Sequence, residues 1–197
     1  MVGSIEHTNG STGGDLCLAC GLCCDGTIFA DVKLQASDAP ARLLALGLPL
    51  RSSKVKLAKA APGLALPRPG AAHSCKFDQP CAALRGQQCR IYEDRPNHCR
   101  EFECLLLKGV KTGKTDKKAA LGIILKASGR SARISRMLRE LGDVDEAVSL
   151  HKRFRRTSKR LEALGLDDAT AAVFSELTLA VHDLNLLLSQ EFYPGDE

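Results

Sequence analysis

Hydrophobic residues recur every three or four positions over the C-terminal part of the chain, a period that predicts amphipathic helices. The apolar side of the first helix consists of Ala120, Ile123, Ile124, Ala127, Ile134, Met137, Leu138 and Leu141. The second carries Val148, His151, Phe154, Leu161 and Leu164, and the third carries Val173, Phe174, Leu177, Ala180, Val181, Leu184, Leu187 and Leu188. Ser128-Gly129 could break the first helix, and Gly165 is expected to end the second. These patterns predict a helical bundle.

The N-terminal part has shorter patterns. Residues 27–34 alternate loosely between apolar and polar positions, which predicts a short strand. Residues 41–46 predict a helix with Ser37 or Asp38 as its cap. Residues 54–66 alternate partly around a Pro-Gly pair, so we expect a β-hairpin there.

All nine cysteines lie between Cys17 and Cys104, and the first four form the run C-L-A-C-G-L-C-C. Two thiolates separated by two residues can bind one tetrahedral ion, because the loop turns back and its N–H groups point at the sulfurs. Gly21 suits the positive φ that such a turn often needs. Adjacent side chains diverge, so the pair Cys23-Cys24 suggests two metal centres or one polynuclear cluster. The spacing therefore predicts a metal-binding half.

A second cysteine block runs from Cys75 to Cys104. Asp94 could cap a helix with Pro96 in its first turn, and Cys99 near its start would gain from the helix dipole. Four arginines could offset thiolate charge or pair with nearby acids, two alternatives that we weigh equally: Arg85, Arg90, Arg95 and Arg100. Two histidines could substitute as ligands but are more often bystanders: His73 and His98.

The order C-x-x-C-G-x-C-C, then C-x-I-Y-E-x-R-P-x-x-C-R-x-F-x-C, resembles the YkgJ-type cysteine-cluster proteins, a CxxCxxCC family associated with chelation of zinc or iron. The resemblance covers residues 15–105. It implies metal binding through Cys17, Cys20, Cys23, Cys24, Cys75, Cys89, Cys99 and Cys104. Cys81 is left over. A similar pattern in flagellin lysine methylases implies an iron-sulfur cluster as an alternative cofactor.

These observations predict an α+β, mostly α fold: a loop-rich cysteine-cluster metal-binding domain with a short β-hairpin, followed by a C-terminal helical bundle. We expect a disordered tail at residues 1–14, a metal-binding domain at residues 15–108, a linker at residues 109–118 and a packed helical region at residues 119–197.

The cysteines could instead form disulfides, as in secreted chains. Their odd count and C-x-x-C spacing favour thiolates in a reducing compartment, and the first fifteen residues do not look like a signal peptide, so we expect a cytoplasmic protein. The longest apolar run without a proline, residues 119–125, is far shorter than the ~20 residues of a membrane span, so we expect no such span.

Charge is unevenly divided between the last two predicted helices. Residues 151–160 carry six Lys or Arg and no acid, whereas residues 161–190 carry five acids and no Lys or Arg. The basic stretch could contact nucleic acid or an acidic protein, but we favour pairing with its acidic neighbour and exposure of the rest. We expect His151 in the core.

Three functions fit the sequence. The first is a protein that stores, carries or structurally uses zinc or iron, and it needs the fewest assumptions. The second is an enzyme with an iron-sulfur cluster, and the third is a metal-stabilised interaction module that uses residues 151–160. The sequence has no recognisable Ser-His-Asp catalytic set, zinc-deaminase motif or glycine-rich dinucleotide-binding loop. A P-loop is excluded because Lys108 occupies the position where that motif needs glycine. We therefore lean against an enzyme.

Overall fold

A computed structural model describes residues 14–52, 75–165 and 167–193. The hairpin predicted over residues 54–66, His73 and all but the last residue of the predicted tail lie outside the described residues. The fold class is the expected one, α+β and mostly α, with two small sheets before a helical region.

The cysteine-rich half contains short elements. They are α1 (Gly14–Cys20), β1 (Asp31–Lys33), α2 (Pro40–Ala45), β2 (Arg51–Ser52), β3 (Cys75–Asp78), β4 (Leu84–Arg85), β5 (Gln88–Cys89), a 3₁₀ turn (Tyr92–Asp94), α3 (Asn97–Glu101) and α4 (Leu105–Lys111). β3 is the central strand of a sheet and pairs antiparallel with β1 and β2. β4 and β5 form a separate hairpin.

Three helices complete the chain: α5 (Lys117–Glu140), α6 (Leu150–Leu164) and α7 (Asp168–Glu191). α5 is continuous, so the expected break at Ser128-Gly129 is absent. Asp167 caps α7, because its side chain accepts a hydrogen bond from the N–H of Thr170 at 2.8 Å. The buried residues of α5 and α7 come from the predicted apolar sides, and these two helices pack against each other.

The buried side of α6 differs from the prediction. His151 is exposed, and the buried positions are Arg153, Thr157 and Leu161. The reason is Asp143, whose buried carboxylate accepts hydrogen bonds from Arg153 at 3.1 Å and from Thr157 at 3.4 Å. A buried charge needs partners, and these contacts turn a polar side of α6 inward.

The single helix predicted after Asp94 is two helices. α3 ends at Glu101, and the next residue, Phe102, has an extended backbone. Cys104 then caps α4, because its Sγ accepts a hydrogen bond from the N–H of Leu107 at 3.4 Å. α4 continues to Lys111, so much of the predicted linker 109–118 is helical.

Among the described residues, α7 has the length and composition to cross a membrane, with a mean hydropathy of 1.3 over its apolar window. This finding qualifies the expectation, drawn from uninterrupted apolar runs, that no segment could do so. A core helix has the same features, and α7 packs on α5.

Buried apolar residues form two cores. The helical core joins α4, α5 and α7 and continues beneath α1, where it includes Leu16 and Leu22. The sheet core lies around β1, β3 and α2, and Phe77 is its largest buried side chain. Six cysteines pack against the edges of these cores: Cys20, Cys23 and Cys104 against the helical core, and Cys81, Cys89 and Cys99 against the sheet core.

Candidate metal centre

Four cysteines meet where α1 ends. The backbone turns at Gly21 with φ +69°, as the sequence predicts for this position. After burial, thiolate charge raises the pKa of three members: Cys104 acts on Cys17, Cys104 and Cys17 act on Cys20, and all three act on Cys23. We call the set the α1 group: Cys17, Cys20, Cys23 and Cys104.

A second set of four gathers around the β4–β5 hairpin. One member precedes β4, one ends β5, one lies in α3 and one directly follows Cys23 in sequence. After burial, thiolate charge raises the pKa of three members: Cys81, Cys99 and Cys89 act on Cys24, Cys89 acts on Cys81, and Cys81 and Cys89 act on Cys99. The N–H of Cys81 also donates to the carbonyl of Cys24 at 2.7 Å. We call this set the hairpin group: Cys24, Cys81, Cys89 and Cys99.

The structure therefore brings together seven of the eight cysteines that the resemblance implied, and adds Cys81. Cys75 lies in β3, pairs with Ser52 across the sheet and is buried in the sheet core with Phe77. Neither group includes it. The alternation of C-K-F-D, which places Cys75 and Phe77 on one face, is a sequence signal that could have indicated this role but was not used in the prediction.

The two groups adjoin at the vicinal pair Cys23-Cys24, which contributes one side chain to each. A cavity of about 100 Å³ lies between the groups. Its lining includes all four cysteines of the α1 group and three of the hairpin group, the exception being Cys81. The remaining wall is mostly apolar and includes Phe29 and Phe102.

Burial dominates the electrostatics of the thiols. Desolvation, followed by repulsion from neighbouring thiolates, raises the pKa of Cys24 and Cys99 to about 12. Desolvation also raises the pKa of Cys20 to about 12, although a hydrogen bond from the backbone of Leu22 opposes it. Burial also raises the pKa of Cys81 and Cys104, and hydrogen bonds from backbone N–H groups oppose it, which is the arrangement predicted for metal-binding turns.

Arg95 is the cation shared by the two groups. Its charge lowers the pKa of Cys17 in one group and of Cys99 in the other. The guanidinium is held 3.5 Å above the ring of Tyr92, and its Nε donates to the carbonyl of Tyr92 at 2.7 Å. Arg95 thus offsets thiolate charge, which was the first of the two alternatives for the four arginines.

The other three arginines have different partners. Arg90 lowers the pKa of Cys81, so it also faces the hairpin group. Arg85 and Arg100 donate to backbone carbonyls. The expected acid partners are engaged elsewhere: Asp94 binds Arg42, Glu101 accepts from Gln35 and Glu103 pairs with Lys111.

The chemistry of the donors fits zinc and iron. All nine cysteines are free, so no disulfide competes for the sulfurs, and sets of four thiolates suit tetrahedral zinc or an iron-sulfur cluster. Within the described residues, no three ligating side chains converge as a finished metal site would. His98 has a buried Nε2 without a hydrogen-bond partner, but its ring packs against Phe29 at 5.2 Å.

The basic stretch 151–160 is largely engaged within the molecule. Lys152 donates to Asp78 at 2.5 Å, and Arg156 binds both Asp143 and Asp145. These acids precede α6 in the sequence, so the favoured interpretation was right about internal pairing but wrong about the acidic helix as the partner.

Comparison with known proteins agrees with this chemistry. No curated protein and no solved structure matches the chain. A family model described as "CxxCxxCC: Putative zinc- or iron-chelating domain" matches residues 16–120, which contain both cysteine groups and the start of α5. The chain belongs to the CxxCxxCC family of zinc- or iron-chelating domains.

Proposed function

We propose that this protein holds two metal centres, one in the α1 group and one in the hairpin group, each bound by four thiolates. The observation that supports this most directly is the grouping of the sulfurs: every pair within each group interacts electrostatically. In this proposal Cys81 replaces Cys75 as a ligand.

The structure of the groups favours two centres over one larger cluster. Cys24 also acts on Cys23, but the other partners of Cys23 are Cys20, Cys104 and Cys17, whereas those of Cys24 are Cys81, Cys99 and Cys89. Since adjacent side chains diverge, one sulfur can reach each centre without strain.

Metal binding would also relieve the cost of bringing the thiols together. A buried thiolate is unfavourable, which is why the pKa values are raised, and a bound cation stabilises the deprotonated form. Eight thiolates around two divalent ions leave net negative charge, and Arg95 and Arg90 lie where they offset part of it. Zinc would hold the fold together, whereas an iron-sulfur cluster would add electron transfer. A reducing compartment such as the cytoplasm is part of the proposal.

The test is anaerobic purification followed by metal analysis, sulfide analysis and an absorption spectrum. Two zinc ions per chain in a colourless protein, or iron with acid-labile sulfide in a brown one, would each support two thiolate centres and identify the metal. Less than two metal sites per chain, or eight cysteines that react freely with a thiol reagent in the native protein, would contradict the proposal.

A further inference from the structure

Three buried side-chain atoms in the described part of the chain have no hydrogen-bond partner: Oε1 of Gln79, Nε2 of His98 and Oγ of Ser149. Of these three residues, Gln79 is the one that lines the cavity between the two cysteine groups. It is almost fully enclosed, since the residue is 2% exposed. An unpartnered buried amide is costly, and native proteins retain one mainly where a function, a water molecule or an ion accounts for it.

The end of β3 places Gln79 on the buried side of the strand. Cys75 and Phe77 are buried in the sheet core, and Gln79 is the next residue of the same parity along the chain. Its backbone N–H donates to the carbonyl of Ala30 at 3.3 Å, which helps to fix the residue in this place. An apolar side chain would suit such a position better. A polar residue that breaks the local pattern in this way indicates a functional constraint.

Gln79 lies close to the segments that carry two ligands of the hairpin group. Cys81 is two residues further along the chain, and its N–H donates to the carbonyl of Cys24 at 2.7 Å. Gly26 follows Cys24 by two residues and has a φ of +87°, and a Cβ added to it would lie 3.5 Å from the carbonyl carbon of Gln79. The backbone of Gln79 is therefore packed against the turn that follows Cys24.

Sulfur is the main partner that the cavity offers to this amide. Seven of the lining residues are cysteines, and most of the others are apolar. Arg95 also lines the cavity, but its Nε is already bonded to the carbonyl of Tyr92. Gln87 is a second glutamine in the lining, and it is exposed to solvent. The cysteine side chains are therefore the expected partners of Gln79.

We propose that Gln79 is a positioning residue for the metal centres: its side-chain amide donates N–H hydrogen bonds to the cysteine thiolates that face the cavity. This inference rests on the proposed function and deepens it, because it adds a residue that is not itself a ligand. The ions are held by the thiolates, and Gln79 acts on them through the sulfurs.

An amide suits this position because it can serve both states of the cysteines. It carries an oxygen that accepts and an N–H₂ group that donates, and a half-turn about its last bond exchanges the two. Without metal, a cysteine S–H can donate to the oxygen. A metal-bound thiolate has no proton and only accepts, so the loaded centres need the N–H₂ group. Such N–H bonds to sulfur orient the ligands and offset part of their negative charge.

The first experiment compares the zinc affinity of variants of the full chain, prepared anaerobically, by competition with a chelator. Gln79→Leu should lower the affinity by about 10–100-fold, as loss of a group that supports metal ligands commonly does. Gln79→Glu keeps the shape but replaces the donor by a second oxygen, so it should lower the affinity at least as much. Gln87→Leu is the matched control in the same cavity and should stay within about twofold of the wild type.

The second experiment separates this role from a merely structural one and uses the wild-type chain. The ¹⁵N-labelled protein is loaded with ¹¹³Cd²⁺ in place of zinc, and the side-chain amide signals of Gln79 are assigned through its backbone. We expect one amide proton of Gln79 to show magnetic coupling to ¹¹³Cd through the hydrogen-bonded sulfur. The amide protons of Gln87 should show none.

Three results would overturn the inference while two ions remain bound. They are equal affinities of Gln79→Leu and Gln87→Leu, a Gln79 amide without coupling to cadmium, and an oxygen ligand in the X-ray absorption spectrum that is lost in Gln79→Leu. The cadmium measurement decides the matter if the Gln79 variants do not fold, since it needs only the wild type. Fewer than two bound zinc ions in the wild type would overturn the proposed function itself.

Discussion

The helical core and the sheet core stabilise the chain in different ways. In the described residues the helical core contains seventeen buried apolar residues, eleven of them on the long helices α5 and α7, whereas the sheet core contains eight, four of them on β1, β3 and α2. Long helices bury enough apolar surface to be stable alone, but a small sheet does not. The hairpin group lies at the edge of the smaller core. The comparison indicates that metal substitutes for apolar burial where the chain has little of it.

Metal removal should have the largest effect, and it should affect the sheet core much more than the helical core. Structural zinc supplies about 10–16 kcal/mol in small zinc domains, so its loss should unfold the sheet region. We expect amide protection of Val32 and Phe77 to fall by at least about a hundredfold on chelation, while α5 and α7 stay protected. Hydrogen exchange of the loaded and chelated protein measures this, and uniform loss of protection would show that the two cores are one cooperative unit.

Leu138→Ala should weaken the helical core next. Leu138 is fully buried, and removing such a side chain costs about 2–5 kcal/mol through lost burial and the cavity left behind. Leu125→Ala, at a position 71% exposed on the same helix, is the control and should change stability by under about 0.5 kcal/mol. Urea unfolding followed by circular dichroism gives both values. Equal effects would contradict the packing described for α5.

Asp143→Asn should destabilise the helical core by about 1.5–3 kcal/mol, since it weakens hydrogen bonds between charged groups in a buried place. Burial acts to raise the pKa of Asp143, but hydrogen bonds from Arg156 and Arg153 outweigh it and leave the pKa below 3.8.

A lowered pKa in the folded state means that this contribution is present above about pH 4 and fades as the pH falls further. The stability difference between the wild type and Asp143→Asn, both metal-free, should therefore shrink in acid. A difference that is constant from pH 7 to about pH 2 would contradict the ion pair.

Arg95→Gln should have the smallest effect, on affinity rather than on fold. Removing the cation shared by both groups should weaken metal binding by about tenfold, as second-shell substitutions commonly do. Arg85→Gln is the matched control, because Arg85 donates to the carbonyl of Leu84 and should leave affinity unchanged. Competition with a chelator measures the metal affinity of both variants, and equal affinities would show that Arg95 does not contribute to metal binding.

Sequence periodicity was sufficient for α5 and α7 because their buried sides are purely apolar. It failed for α6, where Asp143 draws Arg153 and Thr157 inward, an outcome that depends on a contact between residues ten or more positions apart. It also missed the break between α3 and α4, where the Sγ of Cys104 acts as a helix cap.

The division of the cysteines could be predicted in part. The vicinal pair indicated that more than one centre was possible, and Gly21 adopts the turn its position implied. Spacing alone could not show that Cys81 belongs to the hairpin group and that Cys75 does not. That distinction depends on which face of β3 meets the sheet core, and it follows from strand pairing between distant segments.

The most direct test of the account is native mass spectrometry of the anaerobically prepared wild type, Cys75→Ala and Cys81→Ala proteins. The account predicts two metal centres in the wild type, two in Cys75→Ala and one in Cys81→Ala. Loss of a centre in Cys75→Ala together with two centres in Cys81→Ala would contradict the assignment of eight thiolates to two groups of four.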